Sequence, residues 1–203
     1  MVRSVWVVAL LAVVMAACTL SRPVPPKHTW LLDTARPQTS QEQPPLPGVL
    51  VVGSVNVAEA FAGRPMVYRF GENRYESDYY NEFFVAPRDM LAQRILEWLQ
   101  SAHLYETVTP LAGAQAPDAR MLQAFVNEMY ADVRDRSRPA AVLSIQFYIT
   151  AADRSGKPVR FAQQLREVAP MRDDSAQAYA QALSQALAAI LTELERQVRA
   201  ARP

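Results

Sequence analysis

The chain has a single cysteine, Cys18, and it closes the apolar run from Val5 to Ala17, a position that decides what can hold the rest together. The run follows a short cationic start carrying Arg3. It is too short to cross a hydrocarbon core of about 30 Å, which takes about 20 apolar residues. Residues 1–17 therefore read as a secretory signal peptide. Met15-Ala16-Ala17-Cys18 has the form of a bacterial lipobox, in which the cysteine is acylated, palmitate among its chains, before cleavage in front of it. Each buried CH₂ adds about 0.8 kcal/mol, and two or more chains give stable attachment. Acylation also consumes the only thiol, so no disulfide is open to the mature domain even in an oxidising compartment. An apolar core has to do all the folding. Thr19 stands where inner-membrane lipoproteins often carry Asp, which favours the outer membrane on its periplasmic side.

The composition supports such a core, since 50% of the residues are hydrophobic. Lys and Arg number 21 against 20 Asp and Glu, and loss of Arg3 with the leader balances them. That leaves no electrostatic footprint for nucleic acid or for a polybasic membrane patch. No fixed-period repeat is visible, and the scarcity of glycine argues against solenoids and propellers. Residues 18–27 form a tether in which Pro23, Pro25 and Pro26 favour extended polyproline II. At about 3.1 Å per residue the stretch from Thr19 to Lys27 reaches about 28 Å. Residues 28–203 are the length of a single domain.

Within that domain the apolar period changes several times. His28–Asp33 reads as a short strand, followed by a proline-rich loop through Pro37, Pro44, Pro45 and Pro47. Val49–Val57 is valine-dense and apolar on both faces at its start, the pattern of a central strand. Arg64–Phe70 and Arg74–Tyr79 flank Gly71-Glu72-Asn73 and read as a hairpin. Pro87 then opens a helix of about four turns, with Asp89 in its first turn and Leu91, Ile95, Trp98, Leu99 and Ala102 on one face. Tyr105–Val108 is a short strand. Ala119–Asp132 reads as a strand although it also carries good helix formers. Leu143, Ile145, Phe147 and Ile149 alternate with Ser144, Gln146 and Tyr148, and Val159–Val168 returns as their partner after a turn over Ala151–Lys157.

The last helix spans about Asp174 to Ala200, or about 40 Å. Its stripe runs Ala176, Ala180, Leu183, Leu187, Ile190, Leu191, Leu194 and Val198, with Asp173 and Asp174 at the start and Arg196 and Arg199 near the end. A coiled-coil seam is the rival reading of the stripe, but small residues open it, which favours packing on the chain's own sheet. Strands, a helix, more strands and a helix make an α+β fold: a mixed, mainly antiparallel sheet with two main helices packed on one face.

The chemistry of enzymes is sparse here. The two histidines, His28 and His103, lack the companion thiols or carboxylates of a zinc site, and His103 sits beside apolar Ala102 and Leu104 as a structural residue. No nucleophile elbow, phosphate loop or dinucleotide fingerprint occurs. Glu76 with Asp78, and Asp173 with Asp174, read as strand surface and helix start. The expectation is a non-enzymatic protein with no metal and no cofactor. Tyr75, Tyr79, Tyr80, Phe83 and Phe84 are the one stretch with contact potential to spare, either as hairpin packing or as a partner surface.

Gly63-Arg64-Pro65-Met66-Val67-Tyr68-Arg69, then Tyr75, Tyr79-Tyr80 and Phe83, then Pro87-Arg88-Asp89-Met90-Leu91 with Leu96 and Leu99, resemble in order the ABC-type transport auxiliary lipoproteins. The lipobox, Trp30-Leu31-Leu32-Asp33 and the alanine- and leucine-rich last helix extend the resemblance to both ends. It implies a periplasmic accessory of an ABC transporter and a mammalian-cell-entry (MCE) domain protein that move lipid between membranes. It also implies docking through protein contacts, with homo-oligomers among the family's members. Two alternatives stay open: a carrier that holds lipid or a small molecule itself, and an envelope assembly or regulatory lipoprotein.

Overall fold

The computed structural model describes residues 25–37, 43–111, 119–152 and 158–203, with side chains left out at 151, 152 and 158–160. Residues 1–17, read above as a signal peptide, lie outside the described residues, as do Cys18, most of the stretch read as a tether and most of the turn expected over Ala151–Lys157. The strands are β1 (His28–Trp30), β2 (Leu46–Val57), β3 (Pro65–Arg69), β4 (Tyr75–Phe83), β5 (Tyr105–Pro110), β6 (Arg120–Asp132), β7 (Ala140–Ala152) and β8 (Pro158–Pro170). The helices are α1 (Pro87–Ser101) and α2 (Ala176–Ala201). All eight strands join one open sheet.

β6 organises that sheet. Along one edge it pairs antiparallel with β7 from Met121 to Asp132, and β7 pairs antiparallel with β8 over its whole length. Two strands share the other edge, both parallel to β6: β2 along Arg120–Val126 and β3 at Ala131–Asp132. The sheet forks there. β5 lies outside β2 on one arm, and β4 then β1 lie outside β3 on the other. A bulge leaves Asn127 without a partner in β7, where the edge changes hands. Bulges bend a strand and raise its twist, which is what splaying two arms needs. Ala58 N–H still donates to the Val126 carbonyl before the turn Glu59–Phe61 lifts the chain from β2 towards β3.

Both helices cover the same face. α1 packs on β2 and β5, and α2 on β7 and β8. Leu91, Ile95 and Leu99 of α1, Leu183, Leu187, Leu191, Leu194 and Val198 of α2, and Leu143, Ile145, Phe147 and Ile149 of β7 are fully buried in one cluster. Burying each large side chain is worth about 1.5–3 kcal/mol, so this cluster dominates stability. The α2 stripe is thus spent inside its own domain rather than on a coiled-coil partner. α1 starts at Pro87 as its sequence requires and ends at Ser101; Ala102 caps it, and His103 just beyond, with φ 44°, turns the chain away. α2 starts at Ala176, two residues later than its acidic pair suggests. Ser175 caps it by accepting from Ala178 N–H at 3.2 Å, while Asp173 accepts from the Ser175 N–H and hydroxyl.

The segment after β1 is stitched to α2. Arg36 forks onto Glu195 at 3.2 and 3.0 Å, and Arg199 donates to the carbonyls of Pro44 at 3.1 Å and Ala102 at 2.9 Å. Gly48 near the start of β2 has φ 91°, and its N–H donates to Glu106 at 2.9 Å. A side chain there would be strained and would crowd Arg120. No helix among the described residues is long and apolar enough to cross a membrane.

Candidate functional site

β4 and the sheet face away from the helices carry the side chains that packing leaves over. Against β3, Pro65 pairs with Glu82 but Val67 pairs with Ser77, so β4 carries three surplus residues between those points. Asp78 holds them out. Its carboxylate accepts from the N–H groups of Tyr80 at 2.8 Å and Asn81 at 3.1 Å, and from the Asn81 amide at 2.9 Å. An Asx turn of this kind lets an aspartate replace the missing ladder bonds. Tyr79 is 67% exposed at its tip, packed edge-on against Tyr80 with centroids 5.1 Å apart. Lys27, where the tether meets the domain, places its ammonium 4.6 Å from the Tyr79 ring.

The five aromatic positions of this stretch do not form one surface. Phe83 is 2% exposed and packs edge-on against Tyr179 at 6.4 Å, so it is core and not a contact residue. Alternation explains this: Phe83 faces the helices and Phe84 does not. Phe84 is exposed together with Leu31, at the far end of the β1–β4 pair. Tyr75 faces the open side of the sheet. There Arg69 lies between the rings of Tyr75 at 5.4 Å and Tyr130 at 5.8 Å, with its guanidinium donating to the carbonyls of Gly71 and Glu72. Phe61 stacks on Tyr130 at 5.9 Å. Burial pushes the Tyr130 phenol up, with Glu128 adding to it, and the Arg69 hydrogen bond acts the other way.

The rest of the open face continues in cross-strand rows. Gln123 of β6 stands opposite Tyr148 of β7, and Phe125 opposite Gln146. Phe125, Tyr148 and Val168 are large, apolar and exposed. Ser144 is fully buried on this face, where it accepts from Gln164 at 3.2 Å.

Two open grooves flank the helices. One, of about 790 Å³, runs between β4 and the start of α2 and is lined by Trp30, Tyr68, Phe70, Tyr79, Tyr80 and Asp174 among others. Burial pushes the Tyr68 phenol well up, and Asp78 and Asp174 push it further; the fully buried Tyr179 phenol behind it is raised in the same way. Burial thus favours the neutral form of both phenols. The other groove, of about 950 Å³, lies between the helices and the prolines after β1, with Trp98, His103 and Glu195 in its wall.

Three of the four acidic residues read from the sequence make local contacts, and the fourth, Asp174, lines the groove beside Tyr68. Glu76 pairs with Arg74 at 2.7 Å, Asp78 holds the bulge and Asp173 serves the α2 cap. Among the described residues no three His, Cys, Asp or Glu side chains converge. Sequence reasoning missed Arg69, Tyr130 and the open-face residues Phe125 and Val168, because a strand pattern does not say which of its faces the helices leave bare.

A family model described as the ABC-type transport auxiliary lipoprotein component matches residues 30–195. A DUF330 protein from Xanthomonas campestris superimposes with a TM-score of 0.69 at 17% identity, covering 82% of this chain and 92% of that one. An uncharacterised protein of known structure gives 0.65 at 18% identity, covering 85% and 99%. A hypothetical protein from Chlamydia trachomatis gives 0.49 at 12% identity, covering 75% and 95%. At these identities the first two share the fold. No curated protein matches the chain.

Proposed function

The chain belongs to the ABC-type transport auxiliary lipoprotein family, and from that premise we propose that it is a non-enzymatic, Cys18-anchored accessory of an ABC transporter with an MCE-domain partner. It faces the periplasm, at the outer membrane, and serves lipid movement between the two membranes by docking protein to protein. The observation that carries the reading is the family match, which runs unbroken from β1 through most of α2. Its docking chemistry is supported by the bare sheet face, where Tyr75, Phe125 and Tyr148 stand exposed beside the Arg69–Tyr130 cluster. Aromatic and arginine side chains are enriched in the cores of protein interfaces. Open edges at β8, β5 and β1 leave room for copies of the chain to associate, in keeping with a homo-oligomer. Purification in mild detergent tests it: the MCE-domain protein is expected to co-elute, and deletion of the gene to lower lipid flux. An intact transport complex with normal flux after deletion overturns it.

A second reading, a carrier of lipid or a small molecule, rests on the groove of about 790 Å³ and its aromatic wall. Native mass spectrometry separates the two, because only a carrier retains phospholipid at a fixed stoichiometry. The groove is open to solvent and the apolar core beside it is filled by side chains, which favours docking.

A further inference from the structure

We propose that the Asp78 bulge is a membrane foot: Tyr79 and Tyr80, with Lys27 beside them, rest in the lipid headgroup region next to the anchor. The inference depends on the acylation of Cys18 proposed above. The tether and the bulge meet at one place, since the Lys27 ammonium lies over the Tyr79 ring at 4.6 Å. Nine residues, Thr19 to Lys27, separate that ring from the acylated cysteine. Even fully stretched they span no more than about 32 Å, so the bulge stays within that distance of the anchor. The same edge of the sheet carries Leu31 at 52% exposure and Phe84 at 58%.

The side chains suit a lipid surface. Tyrosine, with an apolar ring and a polar tip, concentrates at membrane–water interfaces. Carboxylates nearby would oppose contact with lipid phosphates, but most of them are engaged. Glu76 pairs with Arg74 at 2.7 Å, Glu82 with Arg64 at 2.8 Å, and Asp78 is taken up by backbone N–H groups. Lys27 makes no salt bridge among the described residues and offers a cation to anionic headgroups. Asn81 of the bulge is used by β1, pairing with His28 and accepting from the Trp30 indole at 3.0 Å, whereas the Tyr79 and Tyr80 rings are left exposed beside the break in the β3–β4 ladder.

Because acylation consumes Cys18, an introduced cysteine is the sole free thiol of the mature chain. The full lipidated chain carrying His28→Cys is labelled with an environment-sensitive fluorophore and reconstituted on vesicles of phosphatidylethanolamine and phosphatidylglycerol containing a doxyl-labelled lipid. Tyr148→Cys, on the open sheet face, is the control. Quenching at position 28 is expected to exceed that at 148 by at least about threefold, and to fall by half or more when Tyr79→Ser and Tyr80→Ser are added. Equal quenching at both labels overturns the foot while flotation with the vesicles leaves the anchor standing. Strong quenching that survives the serine substitutions also overturns it, since the tether alone then sets the distance. A label that responds only to protein concentration assigns the bulge to a second copy and overturns the proposal. A chain that does not float overturns the anchor and the foot together.

Discussion

The two faces of β7 differ as sharply as two proteins would. On one side Leu143, Ile145, Phe147 and Ile149 are fully buried under α2. On the other, Gln146 and Tyr148 meet solvent, Tyr148 at 45% exposure, and even the buried Ser144 is held by a hydrogen bond rather than by apolar packing. The strand is the same and the register is the same; only the helices differ. The covered face holds the domain together and leaves nothing to offer a partner. The open face buries only a small cluster of Val67, Tyr130 and Val142 with Phe61 packed on it, so the exposed rings of Phe125 and Tyr148 are free to serve contact.

Substitutions can break that division, and Phe147→Ala is the severest. It empties a fully buried ring site and is expected to cost about 3–5 kcal/mol by chemical denaturation. A cost below about 1 kcal/mol would mean that the covered face is not the core. Next comes Ser175→Ala, which removes the cap of the helix that does the covering. A loss of about 1 kcal/mol is expected in the same assay, with the denaturant slope unchanged. Tyr148→Ser on the open face should stay within about 0.5 kcal/mol of the parent in stability. If that face docks the partner, the same substitution lowers affinity about tenfold or more in a binding titration. Loss of stability without loss of affinity would reverse the assignment.

The smallest effect concerns pH at the rim of the open face, where Asp132 pairs with Arg134 at 2.7 Å. The hydrogen bonds from Arg134 hold its carboxyl below its ordinary 3.8, with burial acting in opposition. A carboxylate depressed in the fold adds stability that is present above its unfolded pKa and fades as pH falls through the folded one. Melting temperatures taken between pH 6 and pH 2 should therefore fall less steeply at the acid end for Asp132→Asn than for the parent, with no difference in their spread above about pH 5. An identical acid limb would show that the pair is too well solvated to matter.

Most elements were legible along the chain because their periods are local. Pro87 with the Leu91–Ile95–Leu99 face announces α1, and the alternation from Leu143 to Ile149 announces β7. Asp173 and Asp174 mark the neighbourhood of the α2 start, though the cap itself is Ser175. The candidate site was half legible. The run from Tyr75 to Phe84 is visibly rich in rings, but its division into Tyr75 on the open face, Tyr79 and Tyr80 on a bulge and Phe83 in the core depends on where β3 loses register with β4. Nothing in a single strand encodes that loss; it appears only once Asp78 turns back on the N–H groups of Tyr80 and Asn81.

The amino-acid sequence by itself determined the order of strands and helices and the apolar stripes that both helices bury. Each of these rests on residue type or on spacing within a few turns, where neighbours in sequence are neighbours in space. The tertiary structure alone decided the fork at β6, the parallel pairing of β1 with β4 and of β2 with β5, the gathering of Arg69, Tyr75 and Tyr130, and the meeting of Lys27 with Tyr79. These join residues far apart in the chain, and the free energy that selects them comes from burying the whole covered face at once, a sum that no local pattern carries.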